Sequence, residues 1–427
     1  MISVSKLRFP AAALAVAATF SWLAAPPAAA QTAEPLLQKS NLVYLGAFRV
    51  PQGSGNATFD YGGTALTFNP ANDSLYMVGH DWYQQSAEIS IPAVVNSTSI
   101  GSLNTATILQ PFADATEGKL KQINPGDPNP QKIGGQLVSG GKLIVSGFSF
   151  YDGNVTQSSS HFVRPLTLAA SGQVQGPFKV GSLYPGFVSG YMTPIPSEWQ
   201  SSLGGTALTG NCCLNIISAQ SNGPAASAFN PSQLGSANPV PATMLVGYPY
   251  GHQLGPGLSA QNNYFNMSTQ ITGVAFPAGT RSVLFFGRQG TGPYCYGPGT
   301  STQSQAGQPA DGGVDTWCYD PSDSSKGDHA YPYVYQVWAY DANDLLAVKQ
   351  GSKQPYEVQP YAVWAFNLPF ENSSDQHLLG GAAYDPASNR IYISQRCEDA
   401  NCAPVIQVFK VNGSVVNPSP PGNVQVH

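Results

Sequence analysis

Gly62-Gly63-Thr64-Ala65-Leu66-Thr67-Phe68 is followed by a turn at 69–74 and by Leu75-Tyr76-Met77-Val78-Gly79. A glycine pair, a few small or apolar residues, a turn and an apolar run describe two antiparallel strands joined tightly. The phrase returns as Gly134-Gly135-Gln136-Leu137-Val138, Gly204-Gly205-Thr206-Ala207-Leu208-Thr209, Thr272-Gly273-Val274-Ala275-Phe276 and Gly380-Gly381-Ala382-Ala383-Tyr384. Its second glycines, or the single glycine of the fourth copy, stand at 63, 135, 205, 273 and 381, so the first four copies are about 70 residues apart and one long insertion precedes the fifth. An imperfect repeat of β units of this length points to a propeller or a related array.

Two further apolar runs follow each of the first four copies. The fifth copy has only one, 404–411, before the chain reaches the Pro-rich stretch Asn417-Pro418-Ser419-Pro420-Pro421. The missing strand stands at the other end. Leu42-Val43-Tyr44-Leu45-Gly46-Ala47-Phe48-Arg49 reads like Ala362-Val363-Trp364-Ala365-Phe366-Asn367, the outer strand that precedes the fifth copy. The sequence therefore predicts an all-β chain: a five-bladed β-propeller of four-stranded blades, spanning 31–413 and closed by the N-terminal strand. Closure removes exposed sheet edges. A β-sandwich or an open β array is the alternative, and 289–330 reads as a turn-rich insertion. Small residues in the inner strands let the blades crowd near the axis.

Lys6, Arg8, the apolar run 11–25 and Ala28-Ala29-Ala30 read as a signal peptide over 1–30. Residues 414–427 read as a Pro-rich tail or linker. No stretch after the leader is long and apolar enough to span a bilayer. The expected location is secreted or periplasmic. Charged residues make up only 10% of the 427, with 45 glycines, 36 prolines and a net charge of −5. This is a loop-rich composition with nothing to attract nucleic acid. Six cysteines in an exported chain are expected to form disulfides. Cys397 and Cys402 bracket a short loop. Cys295 and Cys318 would close a long one. Adjacent Cys212 and Cys213 either bond to each other or pair elsewhere. Without a C-x-x-C or H-E-x-x-H spacing, zinc is not expected.

In a propeller blade, the connection into the inner strand and the one between second and third strands emerge on the same face. On that reading Asp60, Glu198 and Asp375 precede inner strands at the channel mouth. His80, Asp81, Trp82, Tyr83 and Tyr151 fall in second-to-third connections of the same face. His252 and His377 join them in the entry loops, and Arg288, His329 and Tyr331 flank the insertion. Two carboxylates at a fixed separation are what glycoside hydrolysis needs. Arg288 with His80, His329 and Tyr331 would suit elimination from an acidic polysaccharide, the cation neutralising the uronate carboxylate while His or Tyr removes the α-proton. Trp82 and Tyr83 are platforms on which sugar rings stack. Asp311, Asp315, Asp320, Asp323 and Asp328 crowd one loop, a segment that could take Ca2+, although their spacing is not that of an EF-hand.

This architecture resembles the five-bladed β-propellers, a group that includes arabinan- and fructan-cleaving glycosidases and a lectin for N-acetylhexosamines. The resemblance covers nearly all of 31–413 as strand count and closure. It implies an extracellular glycan as partner, with Asp60, Glu198 and Asp375 in places comparable to the glycosidases' carboxylates. The expectation is an enzyme acting on an extracellular polysaccharide, as hydrolase or lyase, or alternatively a non-catalytic propeller that binds a glycan or a protein.

Overall fold

The computed structural model describes residues 33–211, 220–370 and 376–413. The stretches read as a signal peptide and a Pro-rich tail, together with Cys212, Cys213 and Asp375, lie outside them. The chain is all-β, built on five antiparallel four-stranded sheets. Sheet I runs Leu66–Asn69, Ser74–Val78, Gln85–Ser90 and Ile108–Asp114 from inside outward, and sheet II Gln131–Ser139, Lys142–Ser149, His161–Pro165 and Gln175–Phe178. Sheet III is Met192–Pro194, Ala207–Thr209, Ala226–Phe229 and Ala242–Val246. Sheet IV is Gln270–Ala275, Ser282–Gly290, Tyr333–Asp341 and Ala362–Phe366. Sheet V begins Leu379–Asp385, Arg390–Gln395, Val405–Val411 and takes its outer strand from the N-terminal side, Leu42–Arg49. Leu42 stands opposite Val411 and Arg49 opposite Val405, as the sequence predicts.

Alternation along the strands explains how the sheets pack. Successive side chains point to opposite faces. In sheet I, Leu75 and Met77 join Tyr392, Ile406 and Val408 of sheet V, while Tyr76 and Val78 join Ile133, Leu143 and Phe162 of sheet II. Equivalent apolar layers fill the gaps between sheets II and III, III and IV, and IV and V. Five layers between five sheets make a closed cycle, and the inner strands touch in the same cyclic order. They come so close that a Cβ on Gly380 would lie 1.8 Å from the Gly63 carbonyl oxygen, and one on Gly135 2.1 Å from that of Gly190.

The third copy of the repeat is shifted by one strand from the predicted register. Its Gly-Gly does not open an inner strand. Gly204, with φ +76°, caps the helix Ser197–Leu203, where a left-handed residue must receive the last turn. The inner strand is Met192–Pro194, and Ala207–Thr209 is the second. The insertion also differs from its loop reading. It carries a three-stranded sheet (Cys295–Thr300, Cys318–Tyr319, Lys326–His329) and a small ribbon (Pro309–Ala310, Asp315–Thr316). Disulfides join Cys295 to Cys318 and Cys397 to Cys402, as expected. Among the described residues, no helix is long and apolar enough to cross a membrane.

Candidate functional site

The face where the inner strands begin holds a cavity of about 260 Å3. Thr64 just before sheet I, Lys132 and Ile133 of sheet II, Thr272 and Arg288 of sheet IV, and Leu379 of sheet V line it. Contributions from three sheets and the entry to a fourth place it at the centre of the cycle. Asp81, Asp323, Gln376 and Arg396 enter from the connections above.

A second, larger hollow of about 470 Å3 opens between sheets I and II on the same face. Trp82, Tyr83, Pro128, Asn129 and Pro130 are among its walls, and it shares Asp81 and Lys132 with the axial cavity. Lys132 donates to Asp81 Oδ2, and its ammonium lies 4.7 Å from the centre of the Phe150 ring. This pair forms the sill between groove and cavity. Gln84 holds the arrangement from below: its side-chain NH2 donates to the Asp81 carbonyl at 2.5 Å, and its Oε1 accepts from Ile133 N–H at 2.6 Å.

Trp82 and Tyr83 give the groove its aromatic wall. Tyr61 and Tyr83 flank His80 with ring centres 5.4 and 4.8 Å away. His80 Nδ1 accepts from the Trp82 backbone N–H at 3.0 Å, which leaves the Trp82 indole 72% exposed. Tyr61 and Tyr151 are exposed as well. Tyr61, Gln84, Val155, His377, Cys397 and Cys402 all hold left-handed backbone. Such strain persists only where the surroundings fix it, and it gathers at functional surfaces.

Arg288 is 4% exposed, although it lines the cavity. One nitrogen, Nη1, donates to the Gln376 carbonyl at 2.9 Å, and the guanidinium carbon lies 4.2 Å from the Tyr333 ring centre. Arg396 donates through Nε and Nη2 to the Gly62 and Tyr61 carbonyls, both at 3.3 Å. Burial pulls both guanidinium pKa values down, and each arginine stands in the range of carboxylate fields, Asp323 and Asp320 for Arg288, Asp81 for Arg396.

The elimination set predicted around Arg288 is not assembled. His329 is 2% exposed inside the small sheet of the insertion. Its Nδ1 meets Asp320 Oδ2 at 2.8 Å, and its Nε2 faces the carbonyls of Ser325 at 3.0 Å and Gly297 at 3.1 Å. Both nitrogens are engaged, so the ring is a brace and not a free base. Tyr331 packs edge-on against Tyr319 and Tyr333.

The predicted carboxylate set also separates. Because sheet III is shifted, Glu198 sits in the connection between its inner and second strands, on the opposite face, and accepts from Gly279 N–H at 2.8 Å. Asp60 lies beside the aromatic cluster, outside the cavity lining. His252 stacks on Tyr356 with ring centres 3.9 Å apart, on the outer flank of sheets III and IV. His377 packs on Tyr335 at 4.6 Å, one residue after Gln376.

The insertion's carboxylates are not gathered for Ca2+. Asp320 accepts from Ser322, His329 and Tyr333, Asp315 pairs with Lys326, and Asp328 accepts from Tyr294. Among the described residues, no group of three or more His, Cys, Asp or Glu side chains is placed to hold a metal. Loop sorting missed Lys132, and it brought Arg396 to this face beside the Cys397–Cys402 loop without giving it a role. The available signal was a lone charge beside an inner or second strand in a chain with few charges.

No protein-family model matches the chain, and no curated protein matches it. Solved structures do. Arabinanase Arb43A of Bacillus subtilis is 11% identical, with a TM-score of 0.40 over 86% of this chain and 96% of that one. A glycosyl hydrolase from Bacteroides ovatus is 10% identical, with a TM-score of 0.40 over 88% and 92%. Hydrazine synthase of Kuenenia stuttgartiensis is 10% identical, with a TM-score of 0.29; the match covers 78% of this chain and 61% of the length of that one.

Proposed function

We propose that the protein is an exported five-bladed β-propeller that engages an extracellular polysaccharide on the face bearing the groove and the axial cavity. The observation that carries this reading is the continuity of the two hollows through Asp81 and Lys132. A chain of sugars can lie along Trp82 and Tyr83, with one unit turned into the axis. Aromatic faces stack on sugar rings, and the nearby amides and charges orient hydroxyls. The Cys295–Cys318 and Cys397–Cys402 disulfides suit an oxidising compartment.

Cleavage is the second reading. Asp81 and Asp323 both line the cavity, and two carboxylates are the minimum for glycoside hydrolysis. Recognition comes first because Asp81 is tied to Lys132.

The test passes the protein over immobilised neutral and acidic polysaccharides while reducing ends and unsaturated-uronate absorbance are read in parallel. Retention of at least one polysaccharide, lost in a Trp82→Ala/Tyr83→Ala variant, is expected. Absence of retention and of product across the panel would remove both readings.

A further inference from the structure

The lining of the axial cavity carries more positive than negative charge. Arg288, Arg396 and Lys132 face it with Asp81 and Asp323, leaving one net positive charge. Lys132 is satisfied by Asp81. Among the described residues, neither arginine has a carboxylate within ion-pair distance. Arg288 Nε is buried without a hydrogen-bond partner, and so is the hydroxyl of Thr64 in the same lining. Burying an unpaired cation beside a second cation is costly unless an anion completes the site. A guanidinium presents a planar fork of donors that fits a carboxylate with two parallel hydrogen bonds. A single net charge suits a monoanion.

We propose that this cavity is a carboxylate subsite in which Arg288 and Arg396 hold the acid group of a uronic-acid unit, while the adjoining sugars lie in the Trp82 groove. Resting on the polysaccharide reading above, this inference narrows its substrate class to acidic glycans. Arg288 is fixed by Gln376 and by the Tyr333 face, and Arg396 by two backbone carbonyls. Both are therefore held in place before a ligand arrives, which reduces the entropy lost on binding.

The test titrates the full chain, by calorimetry, with polygalacturonate and alginate oligosaccharides. Carboxyl-reduced forms of the same oligosaccharides and a sulfated glycan serve as comparisons. The expected result is binding of the uronates at least about tenfold tighter than of their reduced forms, as charge-assisted bonds to two guanidinium groups require. Arg396→Gln removes that preference, so that charged and reduced forms bind alike. Arg288→Lys keeps the charge but loses the planar fork, so it weakens the preference without emptying the buried position; melting curves report folding for both. Equal binding of charged and reduced forms would overturn the subsite and leave the polysaccharide reading standing, whereas no binding of any glycan would count against both. A preference confined to the sulfated glycan would also overturn it.

Discussion

Lys132 of sheet II donates its ammonium to the carboxylate of Asp81 from sheet I, bridging the gap between two neighbouring sheets at the point where groove meets cavity. Both side chains are partly shielded from water, at 15% and 30% exposure, so the pair is stronger than a typical surface salt bridge. Lys132→Met should cost about 1–2 kcal/mol of unfolding free energy, because Asp81 is left without its counter-charge. Urea denaturation measures the cost. The same variant should weaken polysaccharide retention, since the sill loses its shape.

Trp82 tests the groove separately from the fold. Its ring is mostly exposed, and its neighbours do not depend on it for packing. Trp82→Ala should leave the melting temperature within a degree or two while weakening glycan affinity on the order of tenfold, equivalent to about 1.4 kcal/mol. Affinity electrophoresis beside a melting curve separates the two effects.

The His329–Asp320 brace makes the insertion sensitive to pH. Burial acts to lower the His329 pKa, but the Asp320 carboxylate and the Ser325 carbonyl outweigh it and raise the value. Burial acts to raise Asp320, and hydrogen bonds from His329, Ser322 and Tyr333 overcome it and bring the carboxyl to about 2. A raised histidine contributes stability that is complete below its unfolded value, about 6.5, and is lost as pH rises through the folded value. A depressed aspartate contributes stability present above about 3.9 and lost as pH falls toward 2. Limited proteolysis within 291–332 should therefore be slowest between about pH 4 and 6.5 and accelerate on both sides. In His329→Gln the alkaline acceleration should vanish, and the insertion should become easier to cleave throughout.

The Cys295–Cys318 bridge closes a loop with a sequence separation of 23 residues. Replacing both cysteines with serine should cost about 3 kcal/mol in the loop-entropy account. The loss should be visible as a lower denaturation midpoint, and the Cys397–Cys402 bridge, which closes a much shorter loop, should contribute less.

Closure by the N-terminal strand has its own test. Phe48 is fully buried between sheets V and I, among Ile406, Val408 and Leu66. Phe48→Ala should destabilise the protein by about 3–5 kcal/mol, a cost typical of an emptied core aromatic. A deletion through Arg49 should prevent soluble folding, because it removes the outer strand of sheet V and exposes the edge of Val405–Val411.

Four of the five sheets could be placed from the sequence because the turn and the alternation around Leu66, Leu137, Val274 and Ala382 are local signals. Leu42–Arg49 was recognisable because an outer strand was missing at the other end. The third sheet was not legible at Gly204-Gly205, because a helix C-cap and an inner-strand entry ask for the same residue. That single shift moved Glu198 to the wrong face. The cavity was legible only in part. Sorting loops by face brought Asp81, Trp82, Tyr83 and Arg288 to one side, but Lys132 and Arg396 meet them only through contacts between sheets, which no local pattern encodes. His329 looked like a base because its stretch is rich in turn residues; the small sheet that buries it is assembled by strands from both ends of the insertion, with the disulfide from Cys295 to Cys318 holding two of them.

Hydroxyl-radical footprinting of the protein with and without a retained polysaccharide shows which face the glycan covers. Protection of Trp82, Tyr83 and Tyr61 is expected, with Tyr184 and Tyr250, which are exposed but line neither hollow, unchanged. Protection of Tyr184 or Tyr250 with Trp82 fully reactive would contradict this expectation and place the binding surface elsewhere on the molecule.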